Sequence, residues 1–446
     1  MELIIRQLEA SHMQEYTYRG EGNANLVISL PLAKSVLRFH KIEPTKESPI
    51  DAAETKALLE FRFFMKFISK LMGRFVTPPE ILRCHPNNFR NWDERVEILR
   101  PAARKHKNCY HDLVIKLPDY AKLPDHLDII DTRKPTFCIE IKPKQGFMPR
   151  SERRTHLCPY CTKQFYKLIN RAVNKRSRYC PCDLFSGNKA RVHHAIAALI
   201  DSPQNNFIIF RDGQPIWGEG YPRDNLDEIL NEWLNDGSQK DSQQLLNELY
   251  VLVEEALYRE FTFEKKNNDT DRKSDDIITI APTDMNHSTF DGTQTTNERA
   301  CNFPDGNLPK DSILGRLFQV QQLHSSSAQH VYRIYSQHST HLNEEMVYFT
   351  DSSEYKGGEN SIAFNDILIL RNYLLFTTAR DCSVMLTFRQ IDPRGALEVP
   401  PEHLITGINQ SFVFNIAVTD IDPKPLNRID RHRRRAITSF NIVANC

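Results

Sequence analysis

No sign of charge dominates this chain: 58 Lys and Arg stand against 57 Asp and Glu, a net of +1. That argues against a globally basic coat for nucleic acid, so any anion site must come from local clustering. Long apolar runs are missing too, and none approaches the ~20 residues that a membrane span needs. The stretch from Met1 to Tyr16 alternates polar and apolar residues and lacks the core of a signal peptide. Cysteine is scarce, 10 in 446 residues, which is too few for a disulfide scaffold. Four of these cysteines crowd between Cys158 and Cys182, a pattern that reads as a reducing compartment with one metal site. The expectation is a soluble intracellular globular protein. At 40% hydrophobic and 26% charged residues, the chain can bury a sizeable core. Its length suggests two to three units by the ~150-residue prior.

Two strand-like runs flank the turn Arg19-Gly20-Glu21-Gly22-Asn23, and a third, Ser35 to Phe39, follows. Apolar residues at Ala57, Leu58, Phe61, Phe64, Met65, Ile68, Leu71 and Met72 predict a helix over 51–72. Strands are expected at 108–120 and 136–142, giving an α+β unit around an antiparallel sheet. Beyond it, helices are expected at 163–175, 188–200, 241–260, 313–335 and 362–377, and strands at 207–210, 383–390 and 411–421. Between about Lys265 and Asp311 the composition turns to Asp, Asn, Thr, Ser and Lys, the pattern of a disordered insert.

Chemistry concentrates in four places. Gly20 and Gly22 would let backbone amides approach phosphate oxygens, although a plain hairpin would use the same glycines. In Glu140-Ile141-Lys142-Pro143-Lys144, strand alternation puts Glu140, Lys142 and Lys144 on one face. Two ammonium groups there, about 7 Å apart, can bracket a polyphosphate. From Arg150 to Arg191 there are 11 Lys or Arg against 2 acids, with Lys163, Lys167, Arg171 and Lys175 at four-residue spacing, while Phe165, Leu168, Ile169 and Ala172 on another face can anchor the helix to a core. Like charges so placed destabilise a helix, which points to a polyanion ligand. In the same region Cys158-Pro159-Tyr160-Cys161 and Cys180-Pro181-Cys182 have zinc-ligand spacing. Cys158 and Cys161 form the firm pair, and the other two ligands come from among His156, Cys180 and Cys182, with His156 and Cys180 taken first. Lastly, Asp381, Asp420 and Asp422 flank apolar strands, where carboxylates can hold Mg²⁺.

These pieces together resemble the inositol-pentakisphosphate 2-kinase family. The resemblance rests on Arg19 to Val27, Arg100-Pro101-Ala102-Ala103-Arg104, Glu140 to Lys144 and Asp183-Leu184-Phe185-Ser186-Gly187. It continues through Gln204-Asn205-Asn206-Phe207, Thr378 to Ser383 and Asp420 to Pro425. It implies a two-lobed kinase-like architecture: an antiparallel-sheet lobe over 1–145, and a larger α/β lobe over 146–446 with the inositide-binding region. It implies ATP, Mg²⁺ and inositol 1,3,4,5,6-pentakisphosphate as partners, hexakisphosphate (phytate) as product, and a structural Zn²⁺. By position, Arg19, Gly20, Glu21, Gly22, Asn23, Asn25 and Arg38 would meet ATP, Glu140 its ribose and Lys142 its phosphates. Asp420 would hold Mg²⁺, and Asp381 would act with Lys142 on the attacking hydroxyl. Inositide phosphates would meet Arg100, Arg104, Lys144, Lys167, Asn205, Asn206, Lys424 and Arg428. Pro159, Ile208 and His432 depart from the family pattern, and the cysteine knuckle resembles animal members. A monomer in the cytoplasm or nucleus is expected, without nucleic-acid or membrane partners. The competing expectation is a zinc-containing polyanion-binding protein without catalysis.

Overall fold

A computed structural model describes residues 5–42, 49–261, 301–304 and 307–444, except 90, 110–111, 129–133, 156, 354, 356, 358–360, 393–394 and 408–409. The fold is mixed α+β, with two sheets. The first contains β1 (Arg6–Gln7), β2 (Thr17–Glu21), β3 (Asn25–Leu30), β4 (Ser35–Ile42), β5 (Glu80–Arg83), β6 (Asn108–Cys109) and β7 (Leu113–Pro118). Its order is β1-β5-β7-β4-β3-β2, with β6 on β4, and all pairs but β1–β5 are antiparallel. The helix Pro49–Phe63 covers it through Ala57, which packs with Ile81 and Leu113. That helix runs through a π-turn at Phe64–Ile68 into Ser69–Met72, so the expected 51–72 helix is present in three pieces.

The second sheet contains β8 (Thr136–Ile141), β9 (Phe207–Arg211), β10 (Gln214–Gly218), β11 (Ser383–Ile391), β12 (Leu404–Thr406) and β13 (Ser411–Thr419). It is fully antiparallel in the order β10-β9-β8-β11-β13-β12. The chain thus passes from one sheet to the other between Pro118 and Thr136, before the boundary near 145 expected from the sequence. Alternation explains the layering. Val384, Leu386 and Phe388 of β11 enter the main core with Phe137 and Ile139 of β8. Each such burial contributes about 1.5–3 kcal/mol. Ser383, Met385 and Thr387 lie on the opposite face, in register with Glu140 and Cys138.

Helices Lys189–Asp201, Ser242–Tyr258, Ile313–Gln322 and Phe364–Ala379 supply much of that core. Phe364–Ala379 is apolar nearly all round and correspondingly buried. The segment after β7 is pinned to both sheets. The Asp119 amide donates to the Lys34 carbonyl at 2.9 Å, and the Tyr120 carbonyl accepts from Thr387 of β11.

Four expectations change. The expected helix 313–335 is two helices, Ile313–Gln322 and Ala328–His338. The expected helix 163–175 is Pro159–Ile169, and Arg171 sits at φ 54°, outside it. Its core face is Tyr160, Cys161 and Gln164 rather than Phe165, Leu168 and Ile169, the last two being exposed. The expected insert at 265–311 lies mostly outside the described residues. Its end, however, is ordered: Leu308 is buried and Ser312 caps the next helix.

Candidate active site and cysteine cluster

The site grows from the ends of β8, β11 and β13. Lys142 follows β8, and its amide donates to the Asn206 carbonyl at 2.9 Å, which extends the sheet edge by one bond. Its Nζ lies 3.0 Å from Ser383 Oγ, 3.2 Å from Glu140 Oε1 and 3.4 Å from Asp420 Oδ2. Ser383 in turn donates to Glu140 at 2.7 Å. Burial disfavours the Lys142 charge, but Glu140 and Asp420 outweigh it and hold its pKa above the usual lysine range. Asp420 keeps 56% of its side chain exposed, so Lys142 leaves most of this carboxylate free. It also adopts a left-handed backbone, φ 60°, a strained conformation that aspartate tolerates better than most residues.

Strand alternation holds from Glu140 to Lys142 and breaks after Pro143, where Lys144 turns at φ 61°. Lys144 therefore leaves the strand face expected of it and becomes a charged neighbour of Asp381 and Lys163. Burial is the main cause of a pKa lowered to about 8. Gln321 fixes this bend. Its Oε1 accepts from the Gly146 and Phe147 amides at 2.9 and 3.0 Å, while its Nε2 donates to the Lys144 carbonyl. A Cβ on Gly146 would stand 2.2 Å from Phe185, so only glycine lets the bend rest on the Asp183–Gly187 block.

Asp381 sits between the helix Phe364–Ala379 and β11, with its Oδ2 3.6 Å from Lys424 Nζ. Burial raises its pKa, yet Lys424, Lys144, Arg380 and Arg428 together bring it below the usual aspartate value. Around it lies a basin of cations. Lys163 is depressed by burial and by Lys167 and Arg435, and His432 by burial and by Arg380, Arg428, Arg435 and Lys424. Lys167 donates to Gln204 at 2.7 Å. Asn206 is buried and donates to the Tyr160 hydroxyl, while Asn205 is exposed in the turn beside it.

The first sheet faces this site with a different arrangement. Arg38 of β4 donates to Asp422 at 2.6 Å and to Glu60 at 2.8 Å. Asn25 also donates to Asp422. Arg19 pairs with Asp119 at 3.3 Å and lies over the Phe210 ring at 4.5 Å, linking the hairpin to β9. Gly20 and Gly22 border open space, and Asn23 is exposed at the tip. Glu21, by contrast, is fully enclosed between Lys41 and Arg100. Arg100 also binds Glu97 and the carbonyls of Arg104 and Lys107. Glu21 and Arg100, expected from the sequence to meet ligands, therefore spend their charges on each other. The Arg104 side chain is half-buried beside them.

The thiols of Cys158, Cys161, Cys180 and Cys301 all lie within 4.8 Å of one another. Tetrahedral zinc ligation separates sulfurs by roughly 3.8 Å, from Zn–S bonds of about 2.3 Å. Cys158 caps the helix Pro159–Ile169 by accepting from the Cys161 amide, which fixes two of the four. Among the described residues Cys301, which the sequence reading did not include, takes the fourth place; the expected His156 lies outside the described residues. Cys182 lies beside this set, its thiol also donating to the Gly146 carbonyl. Sequence reading missed Cys301 because it stands 121 residues beyond Cys180. It missed Gln321 and Glu60 because lone polar residues on helices carry no spacing signal.

Two sheets meeting at a charged cleft, with a lysine between carboxylates and a cationic basin alongside, define a kinase-like phosphotransferase. The sequence model of the family described as Inositol-pentakisphosphate 2-kinase matches residues 18–436. Inositol-pentakisphosphate 2-kinase of Danio rerio is 28% identical over 95% of this chain and 92% of its own length. The Arabidopsis thaliana protein of that name is 25% identical over 99% and 95%, respectively. The Drosophila melanogaster one is 24% identical over 48% of this chain and 51% of its own. The chain belongs to the inositol-pentakisphosphate 2-kinase family.

Proposed function

We propose that the protein transfers the γ-phosphoryl group of ATP, with Mg²⁺, to the 2-hydroxyl of inositol 1,3,4,5,6-pentakisphosphate, giving the hexakisphosphate. The observation that carries this reading is a pair of half-exposed carboxylates, Asp420 beside Lys142 after β13 and Asp381 beside Lys424 before β11, both of which act on the buried Cys382. The two sheets then belong to two lobes, and nucleotide lies between the Gly20–Gly22 hairpin and the face bearing Glu140. Glu140 accepts from the ribose. Asp420 would hold Mg²⁺, which neutralises charge developing on the triphosphate; an exposed carboxylate with spare oxygens fits an ion that keeps several waters.

Phosphoryl transfer depends mainly on positioning and charge neutralisation. Lys142, kept charged by Glu140 and Asp420, faces the phosphoryl oxygens. Asp381 accepts a hydrogen bond from the 2-hydroxyl and takes its proton as the oxygen–phosphorus bond forms and ADP departs. Because its pKa is lowered, Asp381 is ionised at neutral pH, and as a weak base it receives the proton late. An acceptor with five phosphates requires dense cations, which Lys144, Lys167, Lys424 and Arg428 supply with Asn205 and Asn206. The cationic residues Lys163, Arg380 and Arg435 extend the same basin. Arg100 contributes only by holding the hairpin.

Zn²⁺ would be held by Cys158, Cys161, Cys180 and Cys301. Four protein thiolates leave no position for water, so its role is structural. It would tie the basic region to the ordered end of the 301–304 segment. Incubation with ATP, Mg²⁺ and the pentakisphosphate is expected to yield hexakisphosphate. Asp381→Ala should lower kcat about 10²–10⁴-fold without changing the melting temperature. Wild-type protein that is folded and metal-replete yet makes no hexakisphosphate would overturn the reading.

A further inference from the structure

The bend after Pro143 is held by side chains from three distant parts of the chain. Tyr179, fully buried, donates to the Pro143 carbonyl at 2.7 Å. Arg380, beside Asp381 at the end of the helix Phe364–Ala379, donates to Gln145 Oε1 at 3.1 Å, and Gln145 donates in turn to the Phe147 carbonyl. Gln321, with no exposed surface, makes three further bonds, to the Gly146 and Phe147 amides and the Lys144 carbonyl. It stands one turn after Phe318 on the helix Ile313–Gln322. The Phe318 ring meets Phe147 edge-on at 5.8 Å and lies 5.9 Å from Phe185. One helix face therefore supplies both the apolar seat of the bend and its polar clasp. The clasp demands a carboxamide, whose oxygen accepts twice while its nitrogen donates; a carboxylate has no donor. The turn at Lys144, φ 61°, is one that a non-glycine residue keeps only where its surroundings over-determine it.

We propose that Gln321 is a positioning residue for the acceptor: it holds the turn that takes Lys144 off the strand line of Glu140 and Lys142 and sets its ammonium beside Asp381 and Lys163, against an inositide phosphate. The proposal rests on the reading above that pentakisphosphate occupies the cationic basin. The groups facing Lys144 are Asp381 and Cys382 before β11, Lys142 after β8, and Lys163 from the helix Pro159–Ile169. Burial lowers the Lys144 pKa to about 8, with Lys142 and Lys163 assisting and Asp381 opposing. Its charge is present below that pH and is lost as pH rises through it. Freed from the turn, the amine would reach water and titrate as an ordinary lysine, near ~10.4.

Steady-state kinetics of full-length wild type, Gln321→Met, Lys144→Ala and the double variant across this pH range test the proposal. At neutral pH, Gln321→Met is expected to raise the KM for pentakisphosphate about tenfold, the worth of one misplaced charge-assisted hydrogen bond. Its kcat and its KM for ATP–Mg²⁺ should stay within about twofold of wild type, since uniform binding of the acceptor is what is lost. In wild type the acceptor KM should climb as pH passes about 8. In Gln321→Met that step should move upward toward ~10.4, and in Lys144→Ala it should vanish. The acceptor's own titration is common to all four proteins and cancels in the ratios. In the Lys144→Ala background, Gln321→Met should add nothing, because it acts through Lys144. An unchanged acceptor KM, a step that stays where wild type has it, or an additive double variant overturns the proposal. Gln321→Glu, which loses only the bond donated to the Lys144 carbonyl, gives the same readouts if the methionine variant does not fold. Wild type without turnover would instead sink the functional reading.

Discussion

The two sheets each hold a lysine set among acidic residues, and the two settings work in opposite ways. At the hairpin, Lys41 and Glu21 are fully enclosed and Arg100 is 3% exposed. Every charge there is matched, and the Arg100 guanidinium also binds the carbonyls of Arg104 and Lys107. At the cleft, Lys142 is matched by Glu140, while Asp420 and Asp381 remain 56% and 51% exposed. The first cluster has no capacity left for a ligand; the second has two carboxylates with free oxygens. Charge in a motif is therefore a weak guide to function until its partners are counted. A closed cluster holds the fold, and an open one is available for chemistry.

The largest expected effects separate these two roles. Asp381→Ala should fall in kcat as stated above while unfolding normally. Glu21→Gln should do the reverse, because it leaves Lys41 and Arg100 buried beside a neutral amide. Breaking such a buried pair costs about 3–5 kcal/mol, read as a lower midpoint in urea with m unchanged. The folded fraction should still turn over. A Glu21→Gln protein as stable as wild type but inactive would reverse the comparison and return Glu21 to the ligand site.

The cysteine cluster is also closed, and it shows where sequence reading fails. The pairing of Glu140 with Lys142 is legible because strand alternation puts these near neighbours in the chain on one face. Cys301 is not: it approaches Cys180 at 3.7 Å only after the chain returns from a polar stretch that reads as an insert. The same cluster explains the misread helix face. Cys158 and Cys161 must face Cys180, which turns Tyr160 and Gln164 inward and leaves Leu168 and Ile169 exposed. Apolar periodicity alone predicts the opposite rotation. Cys301→Ser is expected to release about one zinc per chain in elemental analysis. It should also lower stability by about 2–3 kcal/mol, since metal binding is linked to folding. Full metal content in this variant would return the fourth place to another ligand.

The smallest effects sharpen the comparison within the basic region. The four-residue spacing of Lys163, Lys167, Arg171 and Lys175 suggests one cationic helix face, but the helix ends at Ile169 and Arg171 turns left-handed. No Gly or Pro marks that end, which is why the spacing misleads. Lys167 stays at the basin, held by Gln204 at 2.7 Å, with Lys163 as its charged neighbour. Lys175 is carried away to pair with Asp201 at 2.7 Å, 63% exposed. Lys167→Ala should therefore raise the KM for pentakisphosphate about tenfold, one charge-assisted hydrogen bond being worth roughly 1.5–3 kcal/mol. Lys175→Ala should leave KM unchanged and shift stability by less than about 1 kcal/mol, the usual worth of a surface pair. Equal KM effects from the two would mean that a long-range field, and not contact, governs binding; raising salt would then weaken both alike.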